Sequence, residues 1–231
     1  MEEVIRLSTK AKAAAGKKAA ELIENGMVVG LGTGSTARCF IDALAARCRS
    51  GLKIAAVATS QESELQARLA GIPIADLDQL ETIDIDIDGA DEIDSKKRMI
   101  KGGGGALFRE KIIAGISKEM LVIIDSSKQV EALGAFPLPV EISLFAHQAT
   151  LKQIRDLGYR GSIRKNSKGK HFITENQNLI FDIELAFPCH HPEEIEDKLI
   201  RIPGVIGTGF FIGYAGRVIV GYEDGSTTTR S

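Results

Sequence analysis

The chain of 231 residues has no tryptophan, three tyrosines and nine phenylalanines. Proteins that stack single-stranded bases need aromatic faces, and so poor a supply argues against that role. An excess of one charge is also missing, because 29 Lys and Arg stand against 31 Asp and Glu, a net of −2. Such a balance sets up no field for nucleic acid or for an anionic membrane surface, so neither partner is expected. No apolar run approaches the roughly 18 residues of a membrane helix. The N-terminus has no apolar stretch behind a basic start, and a secretory signal is not expected. Cysteine is sparse: Cys39, Cys48 and Cys189 are an odd number without CxxC spacing. That fits reduced thiols in a cytoplasmic protein better than a disulfide framework. Cys189-His190-His191 reads as a loop beside Pro188 and Pro192, since adjacent histidines do not share a helix face and no second ligand pair is spaced to help.

What is present in excess is glycine. The chain holds 24, about one residue in ten, against roughly 7% on average. With 44% apolar and 26% charged residues it buries a real core. Its length suits one large domain or two smaller ones. Helical patterning over 3–25 is followed by a strand at Met27–Leu31, a helix to about Arg49 and a strand at Lys53–Ala58. A helix at Ser60–Ala70, a strand at Ile83–Asp88, a helix at Ala106–Ser117 and a strand at Met120–Asp125 continue the alternation. Such alternation predicts βαβ units and a Rossmann-like open parallel sheet. Beyond Gly134 the order changes to short strands near 140–144, 160–164, 171–174 and 178–184, with helices at His147–Leu157 and Pro192–Arg201. This predicts a smaller α+β, ferredoxin-like domain at 134–204, inserted before the strand-like stretches Gly204–Ile212 and Arg217–Tyr222, which are expected to return to the first domain. The expected α/β catalytic domain is then 1–133 plus about 205–231.

Three stretches carry candidate chemistry. Gly30-Leu31-Gly32-Thr33-Gly34-Ser35-Thr36 joins a strand to a helix. Its glycines let the backbone approach an anion, its hydroxyls add donors, and the helix N-terminus favours negative charge. It fits neither the dinucleotide fingerprint nor a P-loop. Ile83–Asp88 alternates Ile with Asp. Asp84 and Asp86 read as a solvated or peptide-bonded face, whereas Asp88 and Asp91 stand where the strand ends in a glycine turn. Ligands of open α/β sheets bind outside such carboxyl ends. Lys101-Gly102-Gly103-Gly104-Gly105 is too costly in conformational entropy to be an idle connection. It suggests backbone N–H groups around a ligand, with Lys101 placed to stabilise an oxyanion. Glu110 follows one turn into the next helix.

Together, GTGST at 32–36, DGADE at 88–92, KGGGGAL at 101–107, REK at 109–111 and SKQ at 127–129 resemble ribose-5-phosphate isomerases of the A type, in order as well as in kind. The resemblance implies an aldose–ketose isomerase that needs no metal or cofactor, binds a small sugar phosphate, and assembles as a homodimer or homotetramer. It places the family's proton-transferring glutamate on Glu110. Its substrate-binding stretches fall on Thr33, Gly34, Ser35 and Thr36, on Asp88, Gly89, Ala90 and Asp91, and on Lys101, Gly102, Gly103 and Gly104. Lys128 and, by ungapped count, Lys12 complete the set.

The chemistry agrees with the residue types. Moving a carbonyl from C1 to C2 requires removal of a proton beside a carbonyl, which a carboxylate held in reach can do. Glu110 is the expected base, with Asp88 moving protons between oxygens and Asp91 orienting hydroxyls or Lys101. Two rivals stand beside this reading. One is another enzyme on a similar scaffold, such as a CoA transferase or an amino-sugar phosphate isomerase. The other is a sugar-phosphate sensor without turnover.

Overall fold

The computed structural model describes residues 2–231, with side chains from Thr9 onward. Along the chain run α1 (Glu2–Ala20), β1 (Val28–Leu31), α2 (Ser35–Arg49), β2 (Ala55–Ala58), α3 (Gln61–Leu69) and β3 (Ile85–Asp88). Then come β4 (Glu92–Ile93), β5 (Met99–Ile100), α4 (Leu107–Gly115), β6 (Met120–Asp125) and β7 (Leu138–Ile142). The remainder comprises α5 (His147–Asp156), β8 (Arg160–Ile163), β9 (Leu179–Glu184), α6 (Pro192–Ile200), β10 (Val205–Thr208), β11 (Phe210–Phe211), β12 (Ala215–Gly221) and β13 (Thr227–Arg230).

The chain divides into two compact units. The first holds 1–90, 109–129 and 214–231, and the second holds 91–108 and 130–213. The first is built on a six-stranded sheet of order β13-β12-β6-β3-β1-β2. All its pairings are parallel except the β12–β13 edge. β3 and β6 are buried at every residue, as strands covered on both faces must be. One core joins α1 and α2, through Ala15, Ala19, Phe40, Ile41 and Leu44, to Val29, Leu31, Ile87 and Leu121 of the sheet. A second cluster gathers Val57, Ile83 and Ile113. Ser60 caps α3 by accepting a hydrogen bond from the Ser63 N–H, a favourable N-cap arrangement.

The second unit contains an antiparallel sheet of order β10-β7-β9-β8. With α5 and α6 as connections, it has the β-α-β-β-α-β path of a ferredoxin-like fold. Its core is Leu138, Val140, Leu151, Ile154, Phe181, Ile183 and Leu199. A further three-stranded antiparallel sheet, β11-β5-β4, belongs to this unit.

The units differ from those drawn on sequence at three places, the smallest being 130–133, which falls in the second unit. Residues 91–108 belong to the second unit, because β4 and β5 pair there with β11. Gly204–Ile212 likewise stays in the second unit, and the first resumes only at Tyr214. The run breaks at Gly209, where a side chain would meet the Lys101 carbonyl at 2.4 Å. So β10 pairs with β7 while β11 pairs with β5. The expected strand at 171–174 is reduced to isolated bridges, Lys165 to His171 and Ile173 to Leu179. α1 stops at Ala20, short of the expected Asn25. Among the described residues, no helix is long and apolar enough to cross a membrane.

Candidate functional site

In the first unit the chain visits β1, then β2 on one side, then returns to β3 on the other side of β1. This reversal is a topological switch point, the place where open α/β sheets bind ligands. The turn after β1 and the end of β3 lie side by side there. Gly32 N–H bonds the Ile87 carbonyl at 2.9 Å. Asp88, fully buried, receives the Thr33 N–H at 3.1 Å and the Gly89 N–H at 2.7 Å on one oxygen, Oδ1. Two N–H donors on a carboxylate oxygen fix its orientation.

The register explains two glycines. Gly30 stands opposite Asp86, and a Cβ on Gly30 would lie 2.5 Å from Asp86 Oδ1. A Cβ on Gly32 would lie 2.1 Å from Asp88 Oδ1 and 2.6 Å from Asp88 Cα. The Gly-x-Gly at the end of β1 therefore clears room for the Asp-x-Asp of β3. This changes the reading of Gly30, which makes space for a neighbouring carboxylate rather than for a ligand. Asp86 is fully buried, not solvated. Asp84 is peptide-bonded, accepting the Val28 N–H at 2.8 Å and the Lys118 ammonium at 2.6 Å. Those two bonds hold its carboxyl below the usual carboxylate range, with the lysine contributing most.

Gly34 is the N-cap of α2 with φ of 107°, and no side chain caps that helix. The first turn carries no acidic residue. N–H groups of Ser35 and Thr36 thus begin a helix whose positive end favours an anion. Thr33 acts differently from its neighbours. Its hydroxyl bonds the Thr59 and Ser60 hydroxyls at 2.7 and 2.8 Å, while Ser63 Oγ donates to the Gly32 carbonyl at 2.6 Å. Thr59, Ser60 and Ser63 are buried and were not foreseen. Their only signal was three hydroxyls clustered where β2 ends.

Lys12 projects from α1 with its ammonium 4.0 Å from Asp125 Oδ2 at the end of β6. Among Lys10, Lys12, Lys17 and Lys18 it alone is half-buried, the others being exposed. Asp125 caps the short turn Ser126–Lys128 by accepting the Ser127 N–H, so Lys128 also follows the carboxyl end of a sheet strand. Glu110 lies in the first turn of α4 and is 4% exposed.

The second unit holds the other candidates. Asp91 accepts the Gly103 N–H on Oδ2 at 2.8 Å. Lys101 is 2% exposed, its N–H bonds the Gly209 carbonyl at 2.8 Å, and its ammonium sits 5.3 Å above the Phe211 ring centroid. Gly105 N–H closes a turn onto the Gly102 carbonyl at 3.0 Å. Buried Glu92 accepts the Gly134 and Phe136 N–H groups at 2.8 and 2.6 Å, another anchor that sequence reasoning passed over. A cleft of about 710 Å³ opens elsewhere in this unit, between Tyr159, Arg160, His191, Glu194 and Lys198. None of the candidate residues lines it. Among the described residues, no three His, Cys, Asp or Glu side chains are grouped to hold a metal ion.

Comparison with known proteins adds an independent line. The model of a family described as ribose 5-phosphate isomerase A (phosphoriboisomerase A) matches residues 55–225. The chain is 52% identical over 220 residues to the ribose-5-phosphate isomerase A of Protochlamydia amoebophila, with 95% of each covered. Its structure is similar to ribose 5-phosphate isomerase from Plasmodium falciparum, with TM-score 0.93, 34% identity, and 96% of this chain and 98% of that one covered. It is also similar to a D-ribose-5-phosphate isomerase in complex with phospho-erythronic acid, with TM-score 0.90, 36% identity, and coverage of 96% and 97%.

Proposed function

The chain belongs to the ribose-5-phosphate isomerase A family and interconverts D-ribose 5-phosphate and D-ribulose 5-phosphate, and from that premise we propose how its residues divide the work. Glu110 takes the C2 proton of the open-chain aldose. The electron pair moves into a cis enediol or enediolate, and Glu110 returns the proton to C1, so one base serves both carbons. Lys101 and the N–H groups of Gly102 and Gly104 stabilise the oxyanion that develops, while the Gly103 N–H holds Asp91. Asp88 moves the proton between O1 and O2 and assists ring opening. Asp91 orients the sugar hydroxyls or Lys101, and Gly89 and Ala90 contact the sugar.

The phosphate is held by Gly34, Ser35 and Thr36 at the N-terminus of α2, with Lys12 and Lys128. Thr33 shapes that turn through its hydroxyl and N–H. Phosphate binding then positions the reacting carbons. The observation that carries this division is Asp88, buried against Gly32 with Oδ1 fixed by two N–H groups, beside a helix start that no side chain caps. The reaction needs no metal. It belongs to the non-oxidative pentose phosphate pathway, and the enzyme works in the cytoplasm as a homodimer or homotetramer. Family membership does not favour the sensor or CoA-transferase readings.

The test is direct. Ribose 5-phosphate is followed by proton NMR, with and without EDTA. Conversion to ribulose 5-phosphate at an unchanged rate is expected. Binding without turnover would restore the sensor reading, and activity lost to EDTA and regained with metal would contradict the metal-free mechanism.

A further inference from the structure

The four-glycine run is gripped from within its own unit by a side chain some 60 positions downstream. Arg164, just after β8, forms a two-pronged pair with Asp182 of β9. Its Nε donates to Asp182 Oδ2 at 2.9 Å and its Nη2 to Oδ1. The remaining prong, Nη1, donates to the Gly102 carbonyl at 2.8 Å and to the Gly103 carbonyl at 3.1 Å. The pair is mostly buried, with 15% and 22% of the side chains exposed. A planar guanidinium grips a carboxylate with two parallel N–H groups and keeps further donors for carbonyls, whereas an ammonium has no such fork.

In a trans peptide the C=O and the following N–H point in opposite directions. Pinning the Gly102 and Gly103 carbonyls therefore aims the N–H groups of Gly103 and Gly104 away from Arg164. The first of these is the donor that Asp91 accepts. We propose that Arg164, held by Asp182, is a positioning residue that aims the Gly104 N–H and, through the Gly103 N–H, Asp91 at the substrate. Without such an anchor, a run of glycines would keep most of its conformational freedom and present no fixed donors. The inference gives the small unit a part in the reaction, and it rests on the reading that the loop donors stabilise the enediolate.

The experiment compares Arg164→Gln, Arg164→Lys, Asp182→Asn and the double variant with the wild type, per folded molecule. Lys168→Ala, an exposed change in the same unit, is the control. For Arg164→Gln, kcat is expected to fall roughly 10- to 100-fold while KM moves by less than about threefold, because misaimed donors are felt in the transition state. Arg164→Lys recovers part of the loss. Asp182→Asn loses less than Arg164→Gln, and the double variant is no worse than Arg164→Gln. Amide exchange over 100–107 speeds up in parallel, and millimolar guanidinium restores part of kcat to Arg164→Ala. A lower melting temperature with wild-type kcat would overturn the proposal by making the pair structural only. If Arg164→Gln does not fold, Arg164→Lys and Asp182→Asn decide by the same kcat criterion. A wild type without isomerase activity would instead sink the functional reading itself.

Discussion

Two glycine-rich loops serve this protein, and they are built on different principles. The turn after β1 is shaped by its nearest neighbours in the sheet. Gly30 and Gly32 are small because Asp86 and Asp88 of β3 stand against them. The turn is closed by hydroxyls that follow β2 and open α3. The loop at 102–105 is shaped by side chains both near it and far along the chain. A Cβ on Gly105, whose φ is +84°, would strike the Phe172 ring at 2.6 Å, and one on Gly102 would strike Leu107 at 2.8 Å. In the first loop glycine makes room for a carboxylate. In the second, Gly103 does the same for Asp91, whose Oδ1 would lie 2.6 Å from a Cβ there, while Gly102 and Gly105 let the backbone take a left-handed path under packed side chains. The same residue type thus reports two different pressures, one on a site residue and one on loop conformation.

Three substitutions and one labelling experiment sharpen or break that account. Gly32→Ala pushes a methyl into the Asp88 backbone as well as its carboxylate. It should cut kcat/KM by more than about 100-fold, since displacing a reacting group by 1 Å costs that much. Steady-state kinetics on folded protein would check this, and near-normal activity would remove Asp88 from the reaction. Gly105→Ala should act first on stability, losing roughly 1–3 kcal/mol from a strained φ and overpacking. Denaturant unfolding would measure it, and Phe172→Ala in the same chain should recover the packing share but not the backbone share.

Lys12→Ala should raise KM about tenfold with kcat little changed, the mark of a charge that binds ground and transition states alike. Lys10→Ala and Lys17→Ala, on exposed side chains, should leave KM alone. The smallest effect concerns the thiols. Burial pushes Cys39, Cys48 and Cys189 above the ordinary thiol range. A raised pKa leaves little thiolate at neutral pH, so iodoacetamide at pH 7 should leave activity intact. Labelling should quicken as the pH rises. Rapid inactivation at pH 7 would mean that a thiolate serves the site.

Much of the first loop was legible because its causes are local. A short apolar strand, Gly-Thr-Gly-Ser-Thr and an amphipathic helix follow one another without interruption, and DGADE marks the strand end beside it. The alternation of Ile and Asp in β3 was visible, yet burial of both faces was not, because covering by helices is a tertiary fact. The second loop announced itself by composition alone. Its holders, Arg164, Phe172 and Asp182, look in sequence like ordinary members of a small α+β domain. The assignment of 91–108 to the second unit was hidden for a related reason. β4, β5 and β11 are two residues long, and a two-residue strand has no periodicity to read. The stretch Gly204–Ile212 looked strand-like throughout, and its break is explained by the Lys101 carbonyl beneath Gly209.

Glu110 as the single base that moves the proton between C2 and C1 is the center of the account, and proton NMR of ribose 5-phosphate in D₂O tests it most directly. Wild-type enzyme should form ribulose 5-phosphate with solvent deuterium entering at C1 and some direct transfer of the C2 proton to C1. Glu110→Gln should lower both isomerisation and exchange together by roughly 100- to 10,000-fold, the contribution of a general base. Isomerisation by Glu110→Gln at a near-normal rate, or exchange that persists while isomerisation is lost, would contradict it.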